Sequence, residues 1–544
     1  MTIRNILFSD GYEPYLDDEC ADTQNTEDVV TTSDDFEAVS KESLFTELQA
    51  AVNGLYSLDG NGKYSDIDIE AVARYVENNL PMKNIIFKGN DGNSLRTLYL
   101  YDEKKGLYVP GTDRIKSAVQ NLFESHRDKA PKGPVLSILE DSDKFEMNSD
   151  HILNNKPDNS WILLKNGRLN LETGEFLEGY DAQMVFTAGR PVVYDPEAKC
   201  PMFDAFLEWA LTPDVSHLDG NPEKNKQDAR SLAQRYIDGM WEMFGYTFMN
   251  GQPLQKGFLM YGPGDNGKGV IITALTAMNG EENSSSVRLD DIDGSRFATA
   301  NLFGKTLNVS TELSGRMLKG TNMLKQLMSN DDINAEFKCQ QAFKFKNNAK
   351  MVFAGNYISE SPDTTPGFYR RWIIFKLLNT VPEKEKDPYL AEKIVQSELS
   401  GIFNRALDGY RRLKAQGRFT NDMSTDLIEE EYSGLSNTVA TFVAERCETM
   451  NPETEVDTNG NVRNVNQLYV KADVLEGAYR DYCKKTRKAA ISHKQLARKI
   501  KEADSIIEHK KKKLDGKSVW CYLNIRLLES YELEAKGLDK FQTP

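Results

Sequence analysis

A glycine-rich stretch near the middle of the chain has the residue types and spacing that bind phosphate. Gly262, Gly267 and Lys268 fit the pattern Gly-x4-Gly-Lys within 257–272. Glycines let backbone N–H groups wrap a phosphate, and the lysine reaches the β- and γ-phosphate oxygens of a nucleoside triphosphate. The alternative is an ordinary structural turn. The expected nucleotide contacts are Gly262, Pro263, Gly264, Asp265, Asn266, Gly267, Lys268, Gly269 and Val270.

One position departs from the usual phosphate-loop pattern. Gly269 follows the lysine, where a Ser or Thr would give Mg²⁺ a hydroxyl ligand. A metal held here needs a water at that position, or more help from a carboxylate. ATP and Mg²⁺ are therefore the expected cofactors, with the metal geometry left open by Gly269.

A carboxylate that could serve the metal and the attacking water lies further along the chain. The run 305–313 predicts a strand ending at Glu312, which we expect to be a catalytic residue and the metal ligand. It is the single acid there, since Thr311 occupies the position where many such ATPases have a second one. An exposed glutamate at the end of a strand is the alternative.

Two later patterns add polar groups with roles in phosphoryl transfer. Asn356 follows the apolar run 351–355, and an Asn there can orient the water that attacks the γ-phosphate; a turn-forming Asn is the alternative. Arg370 and Arg371 precede another predicted strand. An arginine from a neighbouring subunit can stabilise the transition-state charge, whereas surface ion pairing is the alternative. The sequence does not distinguish the two arginines.

The elements that must position these residues form an α/β unit. Residues 257–380 alternate short apolar strands with helical stretches, which is typical of a three-layer arrangement. Two helices (471–486 and 493–502) and two strands around Asp515-Gly516 follow near the C-terminus, an order compatible with a winged-helix module. The predicted segments are an acidic leader, an N-terminal α+β and helical region, the ATPase core, a helical extension and a basic winged-helix-like domain: 1–85, 86–224, 225–380, 381–450 and 451–544.

The charge of the chain is distributed unevenly. The 544 residues have a net charge of −16, which would argue against a polyanionic partner. Residues 1–70 contain 17 Asp/Glu and three Lys/Arg, whereas 481–520 contain 13 Lys/Arg and five Asp/Glu. The basic segment keeps nucleic-acid binding open. Within the acidic segment, residues 17–43 are expected to be a solvated tail, and a protein-docking or DNA-mimicking segment is the alternative.

The remaining composition excludes several classes of protein. Six dispersed cysteines without a Cys-x-x-Cys pair favour a reducing compartment. No apolar run approaches the length of a membrane span, and the N-terminus lacks a signal-peptide pattern. We therefore expect a cytoplasmic protein, in a bacterium or host cell, without a membrane partner.

The order of these motifs resembles the superfamily 3 helicases of phages, plasmids and poxviruses. The motifs are Gly-Pro-Gly-Asp-Asn-Gly-Lys-Gly (262–269), Ser-Thr-Glu (310–312), Phe-Ala-Gly-Asn (353–356) and Tyr-Arg-Arg-Trp (369–372). More narrowly, the chain resembles the phage/plasmid primase-associated helicase family over about residues 90–525. The resemblance implies an AAA+-like P-loop motor core, assembled as a homo-hexameric ring that threads single-stranded DNA.

The resemblance also implies a β-hairpin that projects into the ring channel. The runs 333–338 and 342–346 fit it, with Lys338, Lys344 and Lys346 as candidate DNA-backbone contacts. A solvated face of an ordinary hairpin is the alternative. The C-terminal module adds further candidate DNA-binding residues: Lys494, Arg498, Lys510 and Lys511.

The leading hypothesis is an ATP-dependent replicative DNA helicase of a phage, plasmid or mobile element, translocating on single-stranded or forked DNA. The region 1–85 is too short for the primase domain of some family members, so we expect no intrinsic primer synthesis and leave room for a separate primase or polymerase partner. The alternative is a replication initiator or origin-binding ATPase with little unwinding of its own. A weaker alternative is an AAA+ remodeller acting on protein.

Overall fold

The structure is a computed structural model in which part of the chain is described. It describes residues 56–58, 60, 64–88, 94–123, 129–149, 152, 159–215, 221–262, 264–293, 295–311, 313, 318–338, 342–356, 358–436, 438–451, 453–456, 462–465, 467–485, 493–504, 506–514, 516–529 and 532. Most of the predicted acidic leader therefore lies outside the described residues.

The chain divides into two compact units. The first runs to Leu163 and includes Gly167–Gly189, and the second consists of Leu164–Asn166 and Arg190–Pro544. The boundary between them falls inside the predicted segment 86–224. The division into five segments stays a prediction.

The first unit contains a mixed four-stranded sheet with helices packed against it. Its elements are β1 (Tyr56–Leu58), β2 (Tyr64–Ile67), α1 (Ile69–Asn79), β3 (Met82–Lys88), β4 (Ser94–Asp102), β5 (Leu107–Pro110), α2 (Thr112–Leu122), α3 (Lys132–Asp141), β6 (Glu146–Asn148), β7 (Trp161–Leu164), β8 (Gly167–Asn170) and β9 (Phe176–Glu178). The larger sheet has the order β5-β4-β3-β6, and the smaller one β7-β8-β9. Asp68 caps the N-terminus of helix α1, since its carboxylate accepts a hydrogen bond from the Ala71 N–H at 2.9 Å.

The second unit is built around a parallel sheet. Its elements up to residue 416 are α4 (Pro201–Leu211), α5 (Pro222–Tyr246), β10 (Gly257–Tyr261), α6 (Lys268–Asn279), β11 (Ser284–Ser285), α7 (Leu289–Ile292), α8 (Arg296–Ala300), β12 (Leu307–Ser310), α9 (Asn322–Leu327), β13 (Asp332–Ala335), β14 (Phe343–Lys346), β15 (Lys350–Gly355), α10 (Pro366–Tyr369), β16 (Trp372–Lys376) and α11 (Leu390–Gln416). The expectation of an α/β chain is thus confirmed at the level of a mixed α/β structure with a parallel sheet.

The parallel sheet brings the ends of its strands to one edge. The strand order is β11-β12-β15-β10-β16, and every neighbouring pair is parallel. In β12 and β15 every residue is buried, as expected for strands of a parallel sheet with both faces covered. Tyr261 is in register with both Gly355 and Lys376. The residues that follow β10 and β15 therefore emerge side by side.

Helices α5 and α11 pack closely beside the sheet. A Cβ on Gly409 of α11 would lie 2.1 Å from the Trp241 carbonyl oxygen of α5, so only glycine permits this approach. Fully buried Glu242 binds the backbone N–H of Thr420 and the guanidinium of Arg412, each at 2.7 Å. The network satisfies a buried charge and fixes α11 against α5.

The C-terminal part is a small helical module with a three-stranded antiparallel sheet. Its elements are α12 (Thr425–Ser436), α13 (Thr438–Arg446), β17 (Cys447–Thr449), β18 (Glu453–Val456), β19 (Val462–Val465), β20 (Tyr469–Lys471), α14 (Ala472–Lys485), α15 (His493–Ala503), β21 (Glu508–Leu514), β22 (Lys517–Leu523) and β23 (Ile525–Leu527). The sheet order is β20-β22-β21, and a shared core joins Phe442, Tyr479, Ile500 and Tyr522. The two helices and the hairpin predicted from the sequence are confirmed here.

No helix among the described residues is long and apolar enough to cross a membrane.

Candidate functional site

The loop between β10 and α6 has the backbone shape of an anion-binding turn. Gly264, Asp265 and Gly267 all have positive φ values, of 114°, 50° and 82°. Successive residues of this kind turn neighbouring N–H groups toward one point, and α6 begins directly afterwards. A Cβ on Gly267 would lie 2.4 Å from Cζ of Phe206 in α4, so glycine is required there for space as well.

Asn266 fixes the loop to the protein interior. Its side chain is 2% exposed, and its amide donates to the Leu377 carbonyl oxygen at 2.7 Å, just past the end of β16. A Cβ on Gly262 would lie 1.7 Å from the Asn266 amide nitrogen and 2.3 Å from the same carbonyl. Glycine at position 262 is thus needed to leave room for the Asn266 anchor, in addition to its predicted role in binding phosphate. Pro263 lies outside the described residues.

Lys268 points back across the mouth of the loop. Its Nζ donates to the Gly262 carbonyl at 2.7 Å, to Oδ1 of Asn266 at 2.9 Å and to Oδ1 of Asn356 at 3.0 Å. Burial lowers the pKa of this ammonium to about 8, an effect that the charge of Asp265 partly offsets. A half-buried cation on neutral oxygens is suited to attract a phosphate.

The Lys268–Asn356 contact joins two predicted site residues that are 88 positions apart in sequence. It follows from the register, because β10 and β15 are parallel neighbours and both residues lie at their carboxyl edge. The Asn356 side chain is exposed beside the loop. Glu312 lies outside the described residues, and its role stays a prediction.

The metal site is only partly defined. Gly269 is exposed in the first turn of α6, beside half-buried Val270, and a Cβ built on it meets no atom within 4 Å. The position could therefore hold a hydroxyl-bearing side chain, but this sequence does not supply one. Among the described residues no group of three or more His, Cys, Asp and Glu could hold a metal ion. The described residues of the loop offer N–H groups and an ammonium that fit a phosphate, and the predicted metal ligand Glu312 lies outside the described residues.

The two arginines lie at the opposite edge of the sheet and differ in environment. The Gly257 N–H donates to the Arg371 carbonyl at 2.8 Å, which fixes both arginines at the amino end of β10. This strand has five residues, so the loop lies about 15 Å away. Exposed Arg370 donates to Oε1 of Gln255 at 2.8 Å. Half-buried Arg371 donates to the Gly367 carbonyl, and burial, followed by the charge of Arg370, lowers its pKa.

The hairpin predicted between Glu312 and Asn356 is present as β13 and β14. The pairs Asp332–Lys346 and Asn334–Lys344 lie on one face, and the buried Ile333 and Phe345 lie on the other. Lys346 is exposed and Lys344 half-buried. Exposed Lys338 follows β13, and the predicted turn 339–341 lies outside the described residues.

The basic residues of the C-terminal module have unequal surroundings. Arg498 is exposed on α15, whereas the neighbouring Lys499 forms a half-buried ion pair with Glu360 at 3.1 Å. Lys510 pairs with Glu508 at 2.7 Å, and both side chains are largely exposed. Lys494 falls in α15, but its side chain lies outside the described part of the structure. Lys511 lies over an aromatic ring, with Nζ 5.5 Å from the centroid of the Trp520 ring.

Sequence reasoning missed several contacts around the loop. Phe206 packs under Gly267, and Lys386 forms an ion pair with Asp265 at 3.1 Å. The Val381 N–H also donates to the Asp265 carbonyl at 3.0 Å. These partners lie far away in sequence, and nothing in their own segments signals the contact.

Comparisons with known proteins give two family matches, each over part of the chain. Residues 92–212 match the family described as D5 N terminal like. Residues 260–371, which contain the loop, Asn356 and both arginines, match a family of unknown function (DUF5906). No curated protein sequence matches the chain. The first match supports the coarser part of the interpretation, a phage replication-associated protein of the primase–helicase kind.

Among solved structures, the chain is similar to the C-terminal region of NrS-1. The A-form apo structure has a TM-score of 0.41 and 13% identity, with coverage of 84% of this chain and 99% of that one. A second apo structure of that region has a TM-score of 0.39, also at 13% identity, over 84% and 99% of the two chains. At this level of superposition the likeness carries no argument about the activity of this chain.

The crowding around Gly262 and the open space at Gly269 predict opposite effects of one added methyl group. We expect Gly262→Ala to lower the free energy of unfolding by about 1–3 kcal/mol, because the Asn266 anchor must move. Gly269→Ala should be neutral or stabilising by up to about 1 kcal/mol, since alanine favours a helix and nothing obstructs it. Thermal and urea denaturation of the nucleotide-free variants measures both. Equal stability of the two variants would contradict this account of the loop.

Proposed function

We propose that this protein is an ATP-dependent replicative DNA helicase of a phage, plasmid or mobile element, working as a homo-hexameric ring. The observation that carries the proposal is the contact between Lys268 and Asn356 at the carboxyl edge of a parallel sheet. It brings together a phosphate-binding cation and an amide that can detect the γ-phosphate. The strand order and the loop that precedes α6 support an AAA+-like P-loop core.

The residues of the loop divide the work of binding and hydrolysis. The N–H groups of 264–268 and the Lys268 ammonium bind the phosphates, while Asn356 orients a water on the γ-phosphate. Glu312 would activate that water and help to hold Mg²⁺, which would supply neutralisation of the phosphate charge. Gly269 offers no hydroxyl, so the metal would need a water at that position or more help from a carboxylate.

The different environments of the two arginines favour Arg370 as the residue that acts on a neighbouring subunit. Its guanidinium is exposed and tethered by a single neutral contact to Gln255. Arg371 is half-buried and its guanidinium donates to the Gly367 carbonyl, which suits a structural role. Because both lie about 15 Å from their own loop, the finger must reach the loop of the next subunit in a ring.

Two surfaces are proposed to contact DNA. The hairpin lysines Lys338, Lys344 and Lys346 grip the backbone of the threaded strand without reading its sequence. The C-terminal module has two helices followed by a hairpin, an order compatible with a winged helix, and we propose that its exposed Arg498 and the lysines of β21 contact the fork or origin.

The C-terminal module also favours a second function, that of a replication initiator. Its folded core and basic hairpin form a DNA-binding candidate that does not depend on the motor, and Gly269 weakens the case for rapid hydrolysis. In this alternative ATP drives assembly on an origin more than unwinding. Both functions need the loop, but only the helicase needs turnover.

ATPase and fork-unwinding assays with and without single-stranded DNA test the helicase directly. We expect hydrolysis stimulated by single-stranded DNA, unwinding of a fork, and a hexameric mass with nucleotide. Lys268→Ala should reduce both activities by about 100-fold or more, and the exposed Lys393→Ala on α11 is the matched control. Origin binding without unwinding by the wild-type protein would favour the initiator, and hydrolysis that ignores DNA would contradict the helicase.

The lowered pKa of Lys268 predicts a pH dependence of nucleotide binding. Below about pH 8 the ammonium is already charged in the free protein; above it, binding must first take up a proton. The affinity for ADP should therefore fall as pH rises through about 8, approaching tenfold per pH unit. Calorimetry from about pH 7 to about pH 9.5 measures this, with proton uptake read from buffers of different ionisation enthalpy. Lys268→Met should bind weakly without the decline, and an equal decline in this variant would contradict the assignment.

Mixing two inactive variants tests the proposed finger. Arg370→Ala and Lys268→Ala should each lose hydrolysis, while Arg370→Ala still binds nucleotide. In a one-to-one mixed ring about a quarter of the interfaces pair an intact loop with an intact arginine, so partial activity should return. Arg371→Ala is the comparison and should mainly lower thermal stability. Full activity of Arg370→Ala, or no recovery on mixing, would contradict the role of Arg370.

A further inference from the structure

Trp520 occupies an unusual place in the C-terminal module. Its side chain is 49% exposed on β22, whereas Trp241 and Trp372 are 1% and 0% exposed. A large aromatic surface left in water costs free energy that burial would recover. An indole in this position is therefore a candidate for contact with a flat partner.

The neighbours of Trp520 are a second ring and a cation on the same face of the hairpin. Lys511 is directly opposite Trp520 across the ladder, and His509 is opposite Tyr522, two residues further along β22. The His509 and Trp520 rings have centroids 4.7 Å apart at 31°, and Lys511 Nζ lies 5.5 Å from the Trp520 centroid. The strand pairing thus fixes a tilted pair of rings next to a positive charge.

The rest of the hairpin is strongly basic. Four consecutive lysines, 510–513, lie on β21, and Lys517 begins β22. On the opposite face Lys512 lies over the exposed Tyr469 ring at 4.1 Å. Because strand residues alternate between faces, exposed Lys511 and Lys513 lie on the Trp520 face, whereas Lys510, which pairs with Glu508, lies on the other. Aromatic rings among lysines on a hairpin fit a polyanion that carries flat rings of its own.

We propose that Trp520 is a stacking site for an unpaired base of single-stranded DNA, with Lys511 and Lys513 binding the adjacent phosphates. This inference assigns a binding site within the proposed DNA-binding surface. It rests on the proposed function, because the helicase proposal is what identifies the bound strand as single-stranded DNA. Single-stranded DNA is favoured over duplex because bases inside a duplex have their faces covered by their neighbours. The positive charge around the indole disfavours an apolar protein partner, whose surface would leave the lysines desolvated.

The test compares two oligonucleotides that differ only in their bases. The full-length protein is titrated with oligo(dT) and with an abasic strand of the same length, and binding is followed by tryptophan fluorescence and anisotropy. The wild-type protein should bind oligo(dT) about tenfold more tightly than the abasic strand, with quenching of tryptophan emission. Trp520→Ala should bring the two affinities within about twofold, whereas Trp520→Phe should retain most of the preference.

Two control variants separate stacking from charge. Lys511→Ala should lower the affinity for both oligonucleotides equally. It should also reduce the slope of log affinity against log salt concentration by about the value of one phosphate contact. Trp209→Phe removes an exposed indole, 36% accessible, that lies on α4, and should change neither affinity nor the base preference. A preference for oligo(dT) that survives in Trp520→Ala would overturn the proposal. A loss of oligomeric mass in Trp520→Ala with DNA affinity unchanged would also overturn it, because the indole would then contact another copy.

The same titrations distinguish this inference from the helicase proposal. Base preference that depends on Trp520, in a protein without unwinding activity, would support the stacking site and contradict the helicase. Unwinding that depends on Lys268, with no base preference, would contradict the stacking site alone.

Discussion

The parallel alignment of five strands is the constraint on which the candidate site depends. Because β10, β12 and β15 run in the same direction, whatever follows them meets at one edge. Lys268 and Asn356 come into contact for this reason, although neither segment carries a signal for the other. Because of the same alignment, Arg370 lies at the opposite edge of the sheet, too far from the phosphate loop of its own subunit to contact it. In the proposed ring, the edge that binds nucleotide and the edge that faces the next subunit would thus both follow from one topology.

Electrostatic surroundings distinguish Lys268, the proposed phosphate-binding group, from Asp363, whose contacts are structural. Asp363 is satisfied within its own fold: burial raises its pKa, but hydrogen bonds from Lys325, Thr321 and Thr365 outweigh that effect and hold it below its usual range. Lys268 by contrast contacts neutral oxygens, and its pKa is lowered by burial. If a carboxylate contacted a lysine in a structural ion pair, it would already compensate the positive charge of the ammonium. Among the described residues no carboxylate contacts Lys268, an arrangement that favours attraction of an anion.

The sequence predicted features whose signals are local. The phosphate loop and the two helices with a hairpin near the C-terminus follow from glycine spacing, periodicity and turn residues over short windows, whereas the hairpin of β13 and β14 is implied by the family resemblance. Other features depend on register and packing across the fold. The difference between Arg370 and Arg371, the contact of Phe206 under Gly267 and the exposure of Trp520 are of this second kind. A tryptophan in an alternating strand is more often buried, so its position at the solvent end of the hairpin could not be derived from its neighbours.

The segment that follows Asn356 links the sheet edge to both proposed DNA surfaces. Glu360 forms the ion pair with Lys499 of α15, next to exposed Arg498. Asp363 binds Lys325 of α9 at 2.8 Å, close to where the hairpin of β13 and β14 begins. A contiguous set of contacts of this kind is a physical route by which an event at one site can bias another. In the proposed motor, movement of Asn356 with the γ-phosphate would displace the short segment that contacts both DNA-facing elements. The bound nucleotide would thereby influence DNA binding through this one segment.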